Sequence, residues 1–237
     1  MCLTASAMAG EPLRFESPVE RVNVIELFTS HGCSSCPPAD AWLSGFTDNP
    51  DLWHEVVPLA FHVDYWDYLG WQDRFATAAF SQRQRDYRQA GGLGSVYTPG
   101  VLVNGEEWRG WYRGRSLPSA SSEEVGRLSL RAEPGRHAVI EFSPERNRPI
   151  GALRANLAVL GIGIKSDIGA GENRGRSLEE DFIVLGHTAT SSETAQNTWQ
   201  LAWPDLKQKT AARYAVVAWL SHDDNPAPLQ ATGGWLP

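Results

Sequence analysis

Cys33-Ser34-Ser35-Cys36 is the stretch of this chain whose residue types and spacing can do chemistry. Two thiols three positions apart can close a disulfide and reopen it by thiolate attack. Pro37-Pro38 directly after them open a helix, since proline is tolerated in a first turn. The unpaired N–H groups and positive dipole end expected there favour a thiolate. On this reading Cys33 is the exposed, attacking sulfur and Cys36 resolves the mixed disulfide. His31 either supplies positive charge beside Cys33 or is a solvated loop residue. Ser34 and Ser35 either hydrogen-bond a thiolate or merely shape the turn. Glu26 lies on the strand before the motif.

A second group follows the next strand: His62, Asp64, Trp66 and Asp67. Parallel strands end together on the edge where ligands bind, so this block is expected to border the thiols. It would select substrate or supply acid and base groups; alternatively Trp66 packs and the two aspartates cap a helix. A metal reading needs Cys33 and Cys36 with a converging imidazole, His62 or His31, to hold copper or zinc. Without a metal the chemistry needs no cofactor beyond the disulfide itself. Gly161-Ile162-Gly163 and the glycines from 169 to 175 do not have a phosphate-cradling spacing and read as turns. No Gly-x-Ser-x-Gly elbow is present. His222-Asp223-Asp224-Asn225-Pro226 reads as a solvated turn rather than a cation site.

The elements that must position these residues follow from apolar runs and breakers. Residues 21–28 and 56–63 read as buried strands, and the segment from Pro37 to about Phe46 as a helix. Residues 75–89 read as a second helix, stopped by Gly91-Gly92. Val96 to Val103 reads as a strand, turned back at Asn104-Gly105, a strong hairpin signal. Residues 119–131 read as a helix capped by Ser121 or Ser122. From 138 onward short apolar runs at 138–142, 152–160, 182–185, 198–201 and 214–220 read as strands without helices.

The whole chain bounds the function. Its 237 residues suit one large domain or two modest ones, and 42% hydrophobic with 21% charged residues is a soluble composition. A net charge of -7 argues against a nucleic-acid partner. No apolar run is long enough for a membrane helix. Three cysteines cannot build a disulfide scaffold. Residues 2–9, ending Ala7-Met8-Ala9, read as the tail of an export signal or as a frayed extension. Export implies a periplasmic or secreted protein.

Strand, Cys-x-x-Cys, helix, strand, helix and a proline-bearing hairpin together resemble the thioredoxin-like layout. That resemblance implies a cis proline at Pro99 beside the dithiol, with Thr98 and Pro99 presenting the substrate backbone. It makes Glu26 either a proton acceptor for the second thiol or, one residue farther from Cys33 than the acid of that layout, a satisfied structural acid. Residues 25–40, the run His62-Val63-Asp64-Tyr65-Trp66-Asp67-Tyr68-Leu69-Gly70-Trp71, Val96-Tyr97-Thr98-Pro99 and Gly171-Glu172-Asn173-Arg174-Gly175-Arg176-Ser177-Leu178 resemble four blocks of an uncharacterised secreted bacterial family, domain of unknown function 1223. Gly100 departs from the resemblance, which implies a polar side chain after Thr-Pro. The expected architecture is α/β, α+β overall. An N-terminal extension (1–20) precedes a thioredoxin-like domain (21–133) and an all-β subdomain (134–237). The expected activity is exported thiol–disulfide exchange with a protein or small thiol/disulfide substrate and a separate redox partner. The rival is a non-enzymatic binding or copper/zinc-handling protein. The motif leaves the direction of electron flow open.

Overall fold

The computed structural model describes residues 11–119, 121–145, 151–192, 196–206 and 210–237. The export-signal reading of residues 2–9, with Cys2, lies outside them. In chain order the strands are β1 (Leu13–Glu16), β2 (Asn23–Thr29), β3 (Val56–His62), β4 (Gly100–Val103), β5 (Glu106–Glu107), β6 (Gly126–Glu133), β7 (His137–Pro144), β8 (Leu153–Ile162), β9 (Ile164–Asp167), β10 (Ser177–Glu180), β11 (Ile183–Ser191), β12 (Thr198–Ala202), β13 (Arg213–His222) and β14 (Asn225–Trp235). The α-helices among the described residues are α1 (Pro37–Ser44) and α2 (Ala78–Gln89).

One eight-stranded mixed sheet runs in the order β14-β13-β8-β11-β3-β2-β4-β5. At its centre β2 lies parallel to β3, with Thr29 opposite His62, and β11 pairs parallel to β3 through Ile183 and Ala60. The other pairings are antiparallel. A second sheet, β1-β6-β7-β12, is antiparallel throughout, and β9 pairs with β10 alone.

This arrangement overturns the thioredoxin-like α/β domain with an all-β subdomain appended. Among the described residues the protein is mostly β-sheet, 45% strand against 12% helix. Two helices are too few to cover a doubly wound parallel sheet. The sheet edge beyond β3 is continued by β11, β8, β13 and β14, all from the C-terminal half, so the strands of both halves share one hydrogen-bonded sheet. The helix expected over 119–131 is also corrected. Its second half is β6, with Leu128, Leu130 and Ala132 buried at period two under exposed Arg127 and Arg131.

The long apolar runs of β8 and β13 follow from burial on both faces. Ala215, Val217 and Trp219 enter the core that also holds α1 and α2. Val216, Ala218 and Leu220 alternate with them into a second core beneath the four-stranded sheet. Each such Val or Leu stabilises by about 1.5–3 kcal/mol when fully buried. The two layers thereby hold the central strands rigidly, and the C-terminal ends of β2 and β3 carry the candidate site.

Candidate active site

Cys33 and Cys36 are joined as a disulfide, with their Cα atoms 5.5 Å apart. Tight turns put them there: Cys33 N–H donates to Ser30 O at 3.1 Å and Cys36 N–H to Cys33 O at 3.2 Å. Cys36 then caps α1, which begins on Pro37 and Pro38. Those prolines carry no N–H, and the Ala39 and Asp40 N–H groups both donate to Cys36 O at 2.8 and 3.1 Å. The expected row of free helical donors is therefore absent at this terminus, leaving only the dipole to favour a thiolate. The Ser35 hydroxyl lies 3.3 Å from Cys33 Sγ.

Cys33 is not the exposed sulfur that the motif suggests: it is 1% exposed, and Cys36 is 0%. A strap between β9 and β10 is fastened to this segment. Asn173 donates from Nδ2 to the carbonyls of His31 at 2.8 Å and Cys33 at 2.9 Å. Glu172 Oε2 accepts from Ser34 N–H at 3.0 Å and Ser34 Oγ at 2.7 Å. Those two bonds hold the Glu172 carboxyl below its usual range.

Beneath the turn lies a closed polar cluster. The parallel register of β2 and β3 brings His31 and His62 edge to face, ring centroids 5.1 Å apart. His62 Nδ1 is 2.7 Å from Asp73 Oδ2, which also accepts the His31 N–H at 2.9 Å. His31 Nε2 is 2.6 Å from Glu180 Oε2 at the end of β10. All four residues are buried. Burial opposes an imidazolium at His62, but the Asp73 carboxylate and its hydrogen bond, with Glu180 beyond, outweigh it and raise the pKa above the ordinary value. Burial likewise opposes charge on Asp73, yet the two imidazoles hold it well below the usual carboxylate range. Asp40 on α1 goes the other way: burial, then the Glu180 charge, raises it well above that range.

The other residues expected at the site are divided among three places. Thr98 and Pro99, joined by a cis peptide bond, border a groove of about 400 Å³ shared with Ser35, Arg109, Trp111 and Tyr112. Trp66 supports that wall, its Nε1 donating to Thr98 Oγ1 at 2.7 Å. Gly32 lets Trp66 approach, because a Cβ there would sit 2.8 Å from Trp66 Cβ. Asp64 is tied to α2 through Ser81 Oγ at 2.5 Å, and Asp67 Oδ1 accepts the Asp73 N–H at 3.2 Å. Glu26 is bound to α2 by Arg83 Nε at 2.6 Å, Arg83 Nη2 at 3.0 Å and the Tyr87 hydroxyl. Gly100 has a local reason: a Cβ would meet Tyr97 O at 3.0 Å and Gln84 Nε2 at 3.1 Å, where Gln84 already holds Tyr97 O at 2.6 Å. The metal set of Cys33, Cys36 and His62 is not assembled, since the sulfurs bond each other and His62 converges with His31 and Glu180 instead.

A family model described as "Protein of unknown function (DUF1223)" matches residues 24–220, a span that contains both cysteines, both histidines, the groove prolyl bond and the strap. The chain belongs to this family. Among solved structures, a structural-genomics protein of Agrobacterium tumefaciens is 26% identical with a TM-score of 0.60, covering 90% of this chain and 94% of that one. HBP35 of Porphyromonas gingivalis is 16% identical with a TM-score of 0.59, covering 92% of this chain and 76% of that one. The latter likeness shows the fold alone. A search of curated proteins found no match.

In this DUF1223 chain, Asp73 and Glu180 are not legible from the motif outward, whereas Asp40 lies in the first family-like block. Asp73 lies eleven residues past His62 on a loop, and Glu180 ends a short strand, so nothing in local spacing links them to His31. Glu172 and Asn173 did carry a signal, as members of the fourth family-like block.

Proposed function

We propose that this protein is a thiol–disulfide oxidoreductase working through Cys33 and Cys36 outside the cytoplasm. The observation that carries the reading is the closed Cys33–Cys36 disulfide beside the groove bounded by Ser35, Thr98 and Pro99. The groove suits an extended polypeptide: Trp111 and the half-exposed Tyr112 offer apolar faces, and the Thr98-Pro99 segment offers backbone groups. A lasting disulfide between near neighbours fits an oxidising compartment.

In the reducing direction the Cys33 thiolate attacks one sulfur of a substrate disulfide. The other substrate sulfur leaves and takes a proton. Cys36, as thiolate, then attacks Cys33 Sγ, releasing the second substrate thiol and leaving the intramolecular disulfide. One substrate disulfide and two protein thiols become two substrate thiols and one protein disulfide; the oxidising direction is the reverse. Ser35 Oγ is placed to donate to the Cys33 thiolate.

Because Cys33 is covered in the oxidised state, exchange requires the strap to lift. Asn173→Ala removes two hydrogen bonds to buried carbonyls, worth about 1 kcal/mol each. With about 2 kcal/mol removed, the expected result is a roughly 30-fold faster reduction of the disulfide by dithiothreitol, followed by thiol labelling with time. An unchanged rate would mean the strap does not control access. The burial of both sulfurs favours a second reading, a structural disulfide stapling the turn before α1. A Cys36→Ala variant separates the two readings. Offered a disulfide-bearing peptide, it is expected to accumulate a mixed disulfide on Cys33, located by peptide mass. A structural staple predicts no adduct on the folded protein.

A further inference from the structure

The cluster beneath the turn contains two polar atoms with no partner. His62 Nε2 and Glu180 Oε1 are both buried, form no hydrogen bond, and face each other at 3.9 Å. His62 Nδ1 is committed to Asp73 Oδ2 at 2.7 Å, which aims Nε2 at Glu180. If Nε2 is unprotonated, its lone pair points at a carboxylate oxygen. If it is protonated, its acceptor lies well beyond hydrogen-bond reach. Either arrangement leaves buried polar atoms unsatisfied, at a cost of about 1–3 kcal/mol each. A cation between them satisfies both.

We infer that His31, His62 and Glu180 form a divalent-cation site, with zinc the best-matched ion. One ligand atom from each of the three residues lies within 4.8 Å of the others. Bonds of about 2.0–2.2 Å to nitrogen and oxygen put two ligand atoms roughly 3–4 Å apart around one ion. The 3.9 Å separation of His62 Nε2 and Glu180 Oε1 already fits; the 2.6 Å contact of His31 Nε2 with Glu180 Oε2 opens by roughly 0.5–1 Å to admit the ion. Both carboxylate oxygens of Glu180 face an imidazole, so a bidentate Glu180 completes a four-donor shell of two nitrogens and two oxygens. Asp73 is the positioning residue behind it, holding His62 in the tautomer whose Nε2 is free, as carboxylates behind metal-bound histidines do.

Charge favours the same assignment. Asp73 and Glu180 are buried, and among the described residues no lysine or arginine pairs with either. A divalent ion with neutral imidazoles balances both carboxylates. The donors contain no sulfur, so the site does not depend on the redox state of the cysteines, nor on the oxidoreductase reading. It would fasten the β9–β10 hairpin, through Glu180, to the ends of β2 and β3.

The test uses the full chain with its disulfide intact, confirmed by peptide mass showing no thiol label on Cys33 or Cys36. Cobalt(II) titration followed by its visible absorption is expected to saturate at one equivalent, without a thiolate charge-transfer band, and zinc is expected to displace it. His62→Gln and Glu180→Gln are each expected to weaken binding at least ~100-fold, and Asp73→Asn by roughly 10–100-fold. Where a variant does not fold, X-ray absorption of the zinc-loaded wild-type protein decides, and a shell of nitrogen and oxygen with two imidazoles is expected. Sulfur in that shell, or no binding by the oxidised protein at zinc concentrations on the order of 1 mM, would overturn the assignment.

Discussion

Cys33→Ser is expected to abolish disulfide exchange, lowering its rate by at least ~10³-fold with any disulfide substrate. A hydroxyl has almost no anionic fraction near neutral pH, whereas a thiol beginning from a pKa of about 8.5 needs little help. Cys36 does not substitute for it, because Cys36 is enclosed at the start of α1, whereas Cys33 directly precedes the exposed Ser34 and has the Ser35 hydroxyl 3.3 Å from its sulfur. The loss should not come from unfolding. A disulfide spanning three positions closes a very short loop, and losing it costs at most about 2 kcal/mol in the loop-entropy account. Denaturant melts of Cys33→Ser and of the reduced wild-type protein should therefore nearly coincide. A Cys33→Ser variant that still exchanges would remove Cys33 from the chemistry altogether.

The second large effect lies on the helix side of the sheet. Glu26→Ala is expected to cost about 3–5 kcal/mol, because it strands the Arg83 charge within the fold. Arg83 gives two hydrogen bonds to Glu26 and stacks 5.2–5.3 Å from the rings of Phe61, Tyr87 and Trp219. Those ring contacts are not enough to replace the carboxylate. Urea unfolding measures the loss, read as a shift in midpoint at constant slope. Because Glu26 is engaged with α2, the folded fraction of Glu26→Gln should exchange disulfides at the wild-type rate. A marked slowing of the resolving step would instead restore Glu26 as a proton acceptor.

The first part of the chain was largely legible, for identifiable reasons. β2 and β3 are buried on both faces, so they appear as unbroken apolar runs. Pro37-Pro38 marks the start of α1, and Asn104-Gly105, both at positive φ, mark the hairpin. The fold class was misread because local order does not reveal which strands become neighbours. Nothing in the apolar run of β11 says that it lies beside β3, and that pairing joins the two halves within the eight-stranded sheet. β14 was missed because Pro226, Pro228, Gly233 and Gly234 all read as breakers. In the fold β14 is an edge strand, where proline is tolerated. Its glycines allow close approach: a Cβ on Gly234 would lie 2.1 Å from the Phe15 ring, and on Gly233 2.6 Å from Val216 O. The β6 segment reads as a helix in sequence because Ser121 and Ser122 resemble caps, and the period-two burial begins only after them.

The site was half legible for the same reason. The cysteines, Thr98 and Pro99 announce themselves by spacing. The His31–Glu180 and His62–Asp73 contacts join residues 149 and 11 positions apart, across elements whose adjacency only the fold supplies. The burial of Cys33 is not legible in the motif, and the residues bonded to its turn, Glu172 and Asn173, come from the opposite half of the chain.

The account stands most directly on the redox equilibrium of Cys33 and Cys36. The wild-type protein, incubated in graded ratios of reduced to oxidised glutathione and trapped by thiol alkylation, should titrate as one reversible two-electron couple. The predicted midpoint lies between about -270 and -120 mV, the span of disulfide exchangers. A disulfide that stays closed below about -300 mV and never forms a glutathione adduct would be a structural staple, and would contradict the oxidoreductase reading.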